Sequence, residues 1–247
     1  MGSFILLFSI IFLFSVAISW GLLLIRWRFG QKVKERQHIH SSVFGFFTTL
    51  YAFFIGFAIV TLWSAFLTAK ANVSREAESL LIAYYSSYGL PQTEDFRLSL
   101  KSYVNAVLEE EWATMQQDTM SPDAARRFDD ILTKFFQLKG DSDKIAAIYA
   151  SLTEAGRQRW YRANTLHGNI YPPVWVILSF GFGSVVFGLF LLDQQQTWVS
   201  GFFEFMLIYM VLACLYFIYD LNTPFSGFIN VPSEAFRLVA HKMASLP

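Results

Sequence analysis

The chain has 247 residues, of which 54% are apolar and only 15% charged, and its formal net charge is zero. That balance gives no basic surface for nucleic acid, and a single cysteine, Cys214, excludes a disulfide within the chain. Its 27 phenylalanines and long apolar runs point to a membrane protein.

The first run is Phe4–Leu24, the second Phe44–Ala69, the third Pro173–Leu192 and the fourth Val199–Tyr219. Each is close to the roughly 20 residues that a helix needs to cross a hydrocarbon layer of about 30 Å. Backbone groups in lipid must be satisfied within the segment, so the runs are expected to be helices. The first run lacks a basic segment before it, and Arg26 and Arg28 follow where a cleavage site would need small residues, so it reads as a retained span. Arg26, Arg28, Lys32, Lys34 and Arg36 then face one acid, Glu35. Basic residues in short loops stay cytoplasmic, which places the N-terminus, residues 70–171 and the C-terminal tail outside. The loop Asp193–Trp198, expected inside, carries no Lys or Arg.

The fold expected is all-α, with four transmembrane helices in a 2+2 arrangement and a helical insertion between the second and third. Residues 1–69 form the first pair with its basic loop, 70–171 the extramembrane domain, 172–221 the second pair, and 222–247 an exit turn and short amphipathic helix. No breaker separates Gly56 from Gly89, so the second span continues outward as one helix to about Tyr88, with Val73, Ala77, Leu80, Leu81, Tyr84 and Tyr88 on one face. Thr93 is expected to cap the next helix, with the stripe Phe96, Leu100, Tyr103, Val107 and Met115. Ser121-Pro122 starts a third, carrying Phe128, Ile131, Leu132 and Phe135. Asp141 or Ser142 starts a fourth, with Ile145, Ile148, Tyr149 and Leu152 on one face, running through Arg157, Arg159 and Arg162 to Pro172-Pro173. Small residues mark faces where helices touch: Gly45, Thr49, Ala52 and Gly56 in the second span, and Gly181, Ser184 and Gly188 in the third.

Glu204 is the only formal charge inside the last three spans. Ionisable residues at membrane depth are functional candidates; the alternative is a shallow side chain bonded to a neighbouring Tyr or Trp. Glu109, Glu110 and Glu111 are adjacent on a helix and point in different directions, so they cannot chelate one ion together. Glu111 and Glu76 are expected to pair with Arg157 or Arg159. Asp220 sits at the end of the fourth span, where an acid opposes the helix dipole, so a partner such as Arg159 or Arg162 is expected. Pro224 to Gly227 then read as a packed type I or II turn, covering Phe225 and Phe228, or as a solvated exit loop. His38 and His40 lack further ligands for zinc. Asn72-Val73-Ser74 is a weak glycosylation match on a helix. No nucleotide loop, nucleophile–base pair or metalloprotease motif is present. An enzyme, a cofactor and a metal site are therefore not expected, and Cys214 reads as a small lipid- or helix-facing residue.

Separated motifs carry a resemblance. Trp63, Ala69, Val73, Glu76, Ala77 and Leu80 form the first. Val107-Leu108-Glu109-Glu110-Glu111-Trp112 with Met115 forms the second. Arg159 leading to Pro172-Pro173 and Trp175 forms the third. Asp220-Leu221-Asn222-Thr223-Pro224-Phe225-Ser226-Gly227, then Val231, Ser233, Glu234, Ala235 and Phe236, forms the last and most specific. In this order they resemble the bestrophin-like family of bacterial membrane proteins, a family with unassigned function, over about residues 43–237. The family's name implies a remote likeness to bestrophins, which are oligomeric anion channels whose extramembrane helices are cytoplasmic; the basic loop here argues for the opposite side. The resemblance implies an oligomeric ion (anion) channel or transport protein in a bacterial inner membrane, a homo-oligomer or a partner of other membrane proteins. The alternative is a non-catalytic accessory or structural subunit of a larger membrane complex. Hydroxyls at Ser41, Thr48, Thr49, Thr61 and Ser64 make only a sparse polar set along the second span.

Overall fold

The computed structural model describes residues 2–29, 37–168, 170–192 and 198–245, and these are helical with turns and no strand. The helices are α1 (Gly2–Phe29), α2 (Gln37–Ser86), α3 (Glu94–Ala106), a π-helical turn (Val107–Glu111), α4 (Trp112–Met115), α5 (Pro122–Phe135), α6 (Ser142–Asn164), α7 (Pro172–Leu192), α8 (Trp198–Asn222) and α9 (Glu234–Ala244). The chain divides into two compact units, one of Met1–Leu62 with Ile170–Asn222 and one of Trp63–Asn169 with Thr223–Pro247. Among the described residues, α2 from Val43, α7 and α8 are long and apolar enough to cross a membrane, and α1 holds a shorter apolar stretch, Ser9–Ile25. Lys32, Lys34, Glu35, Arg36, the side chains of Arg26, His38 and His40, and the Asp193–Thr197 loop lie outside the described residues.

In the first unit α1 packs on α8, where Phe12 sets its ring edge-on to Phe205 at 5.2 Å. On α7, Gly181 and Gly188 are notches. A Cβ at Gly181 would overlap the Tyr51 ring of α2, and one at Gly188 the Phe44 ring. Tyr51 also donates its hydroxyl to the Leu178 carbonyl at 2.8 Å. The small residues expected to mark contact on α7 therefore do so at both glycines, while the Ser184 hydroxyl turns back to the Phe180 carbonyl. The small face of α2 differs: Gly45, Thr49, Ala52 and Gly56 are exposed, and a Cβ on Gly45 or Gly56 would meet nothing. Beside it runs an exposed stripe of Phe46, Leu50, Phe53, Phe57 and Val60.

In the second unit the far half of α2 buries Phe66, Ala69, Val73, Glu76, Ala77, Leu80 and Tyr84. It has 50 residues in all, about 75 Å at 1.5 Å per residue. The helix ends two residues before Tyr88, and Gly89 turns the chain at φ +81°. Phe96, Leu100, Tyr103, Val107 and Met115 are all buried, as their spacing predicts. The cap at Thr93 is different from expectation. Its hydroxyl donates to the Ser87 carbonyl at 3.3 Å and accepts from Arg97, so the side chain fastens the preceding turn instead of the α3 amides. Ser121 does cap α5, accepting from the Ala124 amide at 3.2 Å, and Asp141 caps α6 through the Asp143 amide at 2.9 Å. Tyr149 lies 57% exposed, off the buried face of α6, and stacks on Phe135. Asn72 is buried on α2, which leaves the glycosylation triplet inaccessible. On α9, Phe236, Val239 and Met243 form the buried stripe.

Candidate functional site: a buried network of two arginines and two glutamates

Arg159 and Arg162 lie three residues apart on α6, a spacing that puts both on one face. Arg162 is wholly buried. Its Nε and Nη2 donate to the two carboxylate oxygens of Glu76 at 2.8 and 2.9 Å, and its Nη1 lies 2.7 Å from Oε1 of Glu111. Arg159 forks onto Glu111, with Nη1 at 2.7 Å from Oε1 and Nη2 at 2.8 Å from Oε2. Tyr103 joins the two pairs: its hydroxyl donates to Glu76 Oε1 at 2.6 Å and accepts from Arg159 Nη1 at 2.8 Å. Glu76 therefore accepts three hydrogen bonds, Glu111 accepts two and lies at ion-pair distance from Arg162, and the charges balance.

Removing four ions from water costs several kcal/mol per ion, and only full hydrogen bonding and close opposite charge offset it. Both conditions are met. Burial alone would lower the pKa of Arg162, but the Glu76 and Glu111 carboxylates outweigh it and hold the guanidinium above its ordinary range. Arg159 follows the same pattern, with burial opposed by Tyr103 and Glu111. Burial pushes the Tyr103 phenol well up, and the Glu76 charge pushes it further, so it remains a hydroxyl donor.

The π turn places Glu111 here. The Trp112 amide bonds to the Val107 carbonyl, five residues back, which widens the helix and keeps Val107, Glu111 and Met115 on the buried side. Glu109 and Glu110 stay at the surface, and Glu110 accepts from Ser121 at 3.4 Å. Next to it, Trp112 and Phe236 flank the Arg162 guanidinium at 5.8 and 5.7 Å. Phe225 meets Trp112 edge-on at 6.2 Å. Its position comes from the turn at Pro224: the Ser226 amide donates to the Thr223 carbonyl, the Val231 amide to the Pro224 carbonyl at 2.8 Å, and Gly227 takes φ +92°. This is the packed turn rather than the solvated loop. Phe228, expected to be covered with Phe225, is 48% exposed. A cleft of about 650 Å³ opens over Trp112 and Phe225, rimmed by Gln116, Asn230, Glu234 and Arg237.

One expected pairing is corrected. Arg157 faces away from Glu111 and binds Glu154, one turn back on the surface of α6. Arg159 and Arg162 give their forks to Glu111 and Glu76 within the second unit. Asp220, in the first unit, is buried on α8 and accepts from the Tyr216 hydroxyl at 3.2 Å. Glu204 is buried on the same helix, 6% exposed. Among the motif residues, Trp63 stacks on Phe66 at the start of the second unit and Pro173 is the second residue of α7. The sequence reading missed Tyr103 as a bridge. It is a tyrosine in an apolar stripe, and its hydroxyl had to find a partner. Among the described residues no three His, Cys, Asp or Glu gather as a metal site.

The network and its aromatic cover are built from residues far apart in the chain that also carry the motifs. Comparison with solved structures finds a bacterial Bestrophin homolog from Klebsiella pneumoniae at 13% identity, with a TM-score of 0.74, covering 97% of this chain and 99% of that one. A second crystal structure, of a membrane protein, matches at 14% identity with a TM-score of 0.75, covering 95% of this chain and 96% of that one. These likenesses show the fold. Comparison with curated proteins finds no match. The sequence matches the Bestrophin-like domain over residues 11–236, which includes the whole network and its aromatic cover, and the chain belongs to the Bestrophin-like family.

Proposed function

We propose that the chain assembles as a homo-oligomer in a bacterial inner membrane and conducts anions, with α2 bordering the path. The observation that carries this reading is the face of Gly45, Thr49, Ala52 and Gly56. It is exposed in the protomer, whereas the glycine notches of α7 are filled by the chain's own aromatics. Small residues let helices approach closely in lipid or leave a lumen open between them. Thr49 satisfies its hydroxyl on the Gly45 carbonyl at 2.9 Å, so the face carries no unmet donor. Glu204 and Asp220, buried in the membrane unit, would shape the field along such a path. The basic residues between Arg26 and Arg36 support an outer, periplasmic position for residues 70–171.

A second reading, an accessory subunit of another membrane complex, is favoured by the exposed Phe46–Val60 stripe, which suits a protein neighbour as well as lipid. Reconstitution separates the two. The channel reading expects purified protein of defined oligomeric mass that releases chloride from loaded vesicles. It also expects Glu204→Gln or Asp220→Asn to change the anion-to-cation permeability ratio. A folded, monodisperse protein that carries no current, or that elutes as single copies, supports the accessory reading.

A further inference from the structure

We propose that the cleft at the start of α9 binds a small organic carboxylate, with its acid group on the helix N-terminus, Ser233 and Arg237 and its apolar body against Trp112 and Phe225. The inference does not depend on conduction or on which side of the membrane the domain occupies, because all of these residues belong to the second unit.

α9 begins without a side-chain cap. Ser233 precedes it with ψ 9°, short of the extended backbone that would turn its hydroxyl back to the first-turn amides, and it makes no such bond. The residue is only 9% exposed, and among the described residues its hydroxyl has no hydrogen-bond partner. A hydroxyl so deeply placed should be bonded, and Ser233 lines the cleft. The uncapped amides of the helix and their aligned dipoles favour negative charge at the same point.

The rim follows helical spacing. Glu234, Arg237 and His241 lie on one face of α9, away from the buried stripe of Phe236, Val239 and Met243. Arg237 is exposed and, among the described residues, makes no ion pair, although Glu234 is three residues away. Its planar fork is therefore available to a carboxylate. The Trp112 and Phe225 rings complete the lining, edge-on at 6.2 Å. They suit the body of an organic acid and offer nothing to a hydrated inorganic anion. At about 650 Å³ the cleft falls in the range of roughly 300–1,000 Å³ typical of small-molecule sites. Glu234 opposes an anion from the rim, so neutralising it should strengthen binding.

The test uses full-length protein in detergent and para-fluorophenylacetate as the probe, followed by fluorine NMR with empty micelles as the blank. The acid should show saturable line broadening, and the neutral analogue para-fluorophenethyl alcohol should bind far more weakly. Ser233→Ala and Arg237→Gln should each weaken binding of the acid by roughly five- to tenfold. Glu234→Gln should tighten it by roughly two- to fivefold. An alcohol that binds as well as the acid would make the cleft an apolar groove and overturn the proposal. So would the absence of saturable binding, or an affinity unchanged by Arg237→Gln, which would put the acid elsewhere. Weaker binding in Glu234→Gln also overturns it, because that is the response to a ligand held through a positive charge.

Discussion

Arg162 holds both carboxylate oxygens of Glu76, at 2.8 and 2.9 Å, with neither side chain reaching solvent. The two residues are 86 positions apart, so this one contact fixes α6 against the continuation of a membrane helix. Glu111 and Tyr103 complete it from the α3 side.

The pair should be strongly coupled. Glu76→Gln leaves a buried guanidinium facing a neutral amide and should lower stability by about 3–5 kcal/mol, read as a fall in the thermal midpoint in detergent. Adding Arg162→Met should cost less than the sum of the two single changes by roughly 1–3 kcal/mol. Arg157→Gln, which breaks only a surface pair, should fall within about 0.5 kcal/mol of the parent. Strict additivity of the first two changes would show that the contact is not energetically shared.

Tyr103 gives the network an alkaline limit. Its folded pKa is raised, so its contribution is complete below the unfolded value of about 10 and is lost as pH rises from there towards the folded value. Stability should therefore decline above about pH 10. Tyr103→Phe should flatten that decline, although it costs about 1–2 kcal/mol at neutral pH by taking a hydrogen bond from Glu76 and Arg159. Thermal midpoints collected from pH 8 to 11 for both proteins measure the difference in slope.

The glycines of α2 and α7 should respond oppositely. Gly181→Ala or Gly188→Ala drives a methyl into Tyr51 or Phe44. Overpacking of about 1–3 kcal/mol outweighs the gain in helix propensity, so the protomer should be destabilised. Gly45→Ala and Gly56→Ala meet nothing within the chain and should leave the protomer intact or up to about 1 kcal/mol more stable. If the α2 face packs in an oligomer, Gly56→Leu should reduce the oligomeric mass while the protomer stays folded. Unchanged mass would remove that face from the assembly.

Sidedness is tested at the exposed loop residue Asp118. Asp118→Cys in a Cys214→Ala background should react with an impermeant maleimide in intact spheroplasts. Reaction only after lysis would put the domain in the cytoplasm and discount the basic loop as the orienting signal.

The sequence by itself determined the class of protein and much of its helical outline. Long apolar runs leave a backbone in lipid no other conformation, and Ser121-Pro122 and Asp141 start helices through bonds that lie within three residues. It also marked glycines on both α2 and α7 as places of close approach, because a missing side chain is visible without knowing the neighbour, and within the protomer only Gly181 and Gly188 are filled. The tertiary structure decided which acid meets which base. Arg157, Arg159 and Arg162 lie within six residues, and only the rotational phase of α6 turns the last two inward and leaves the first at the surface. The π turn likewise selects Glu111 from three adjacent glutamates, and a single extra residue in one helical turn has no signature in composition or spacing. Thr93 was misassigned for the same reason: its hydroxyl had several carbonyls within reach, and the fold of the preceding turn chose among them. Local bonds can be read from neighbours in the sequence, whereas contacts 48 and 86 residues apart depend on packing the whole domain at once.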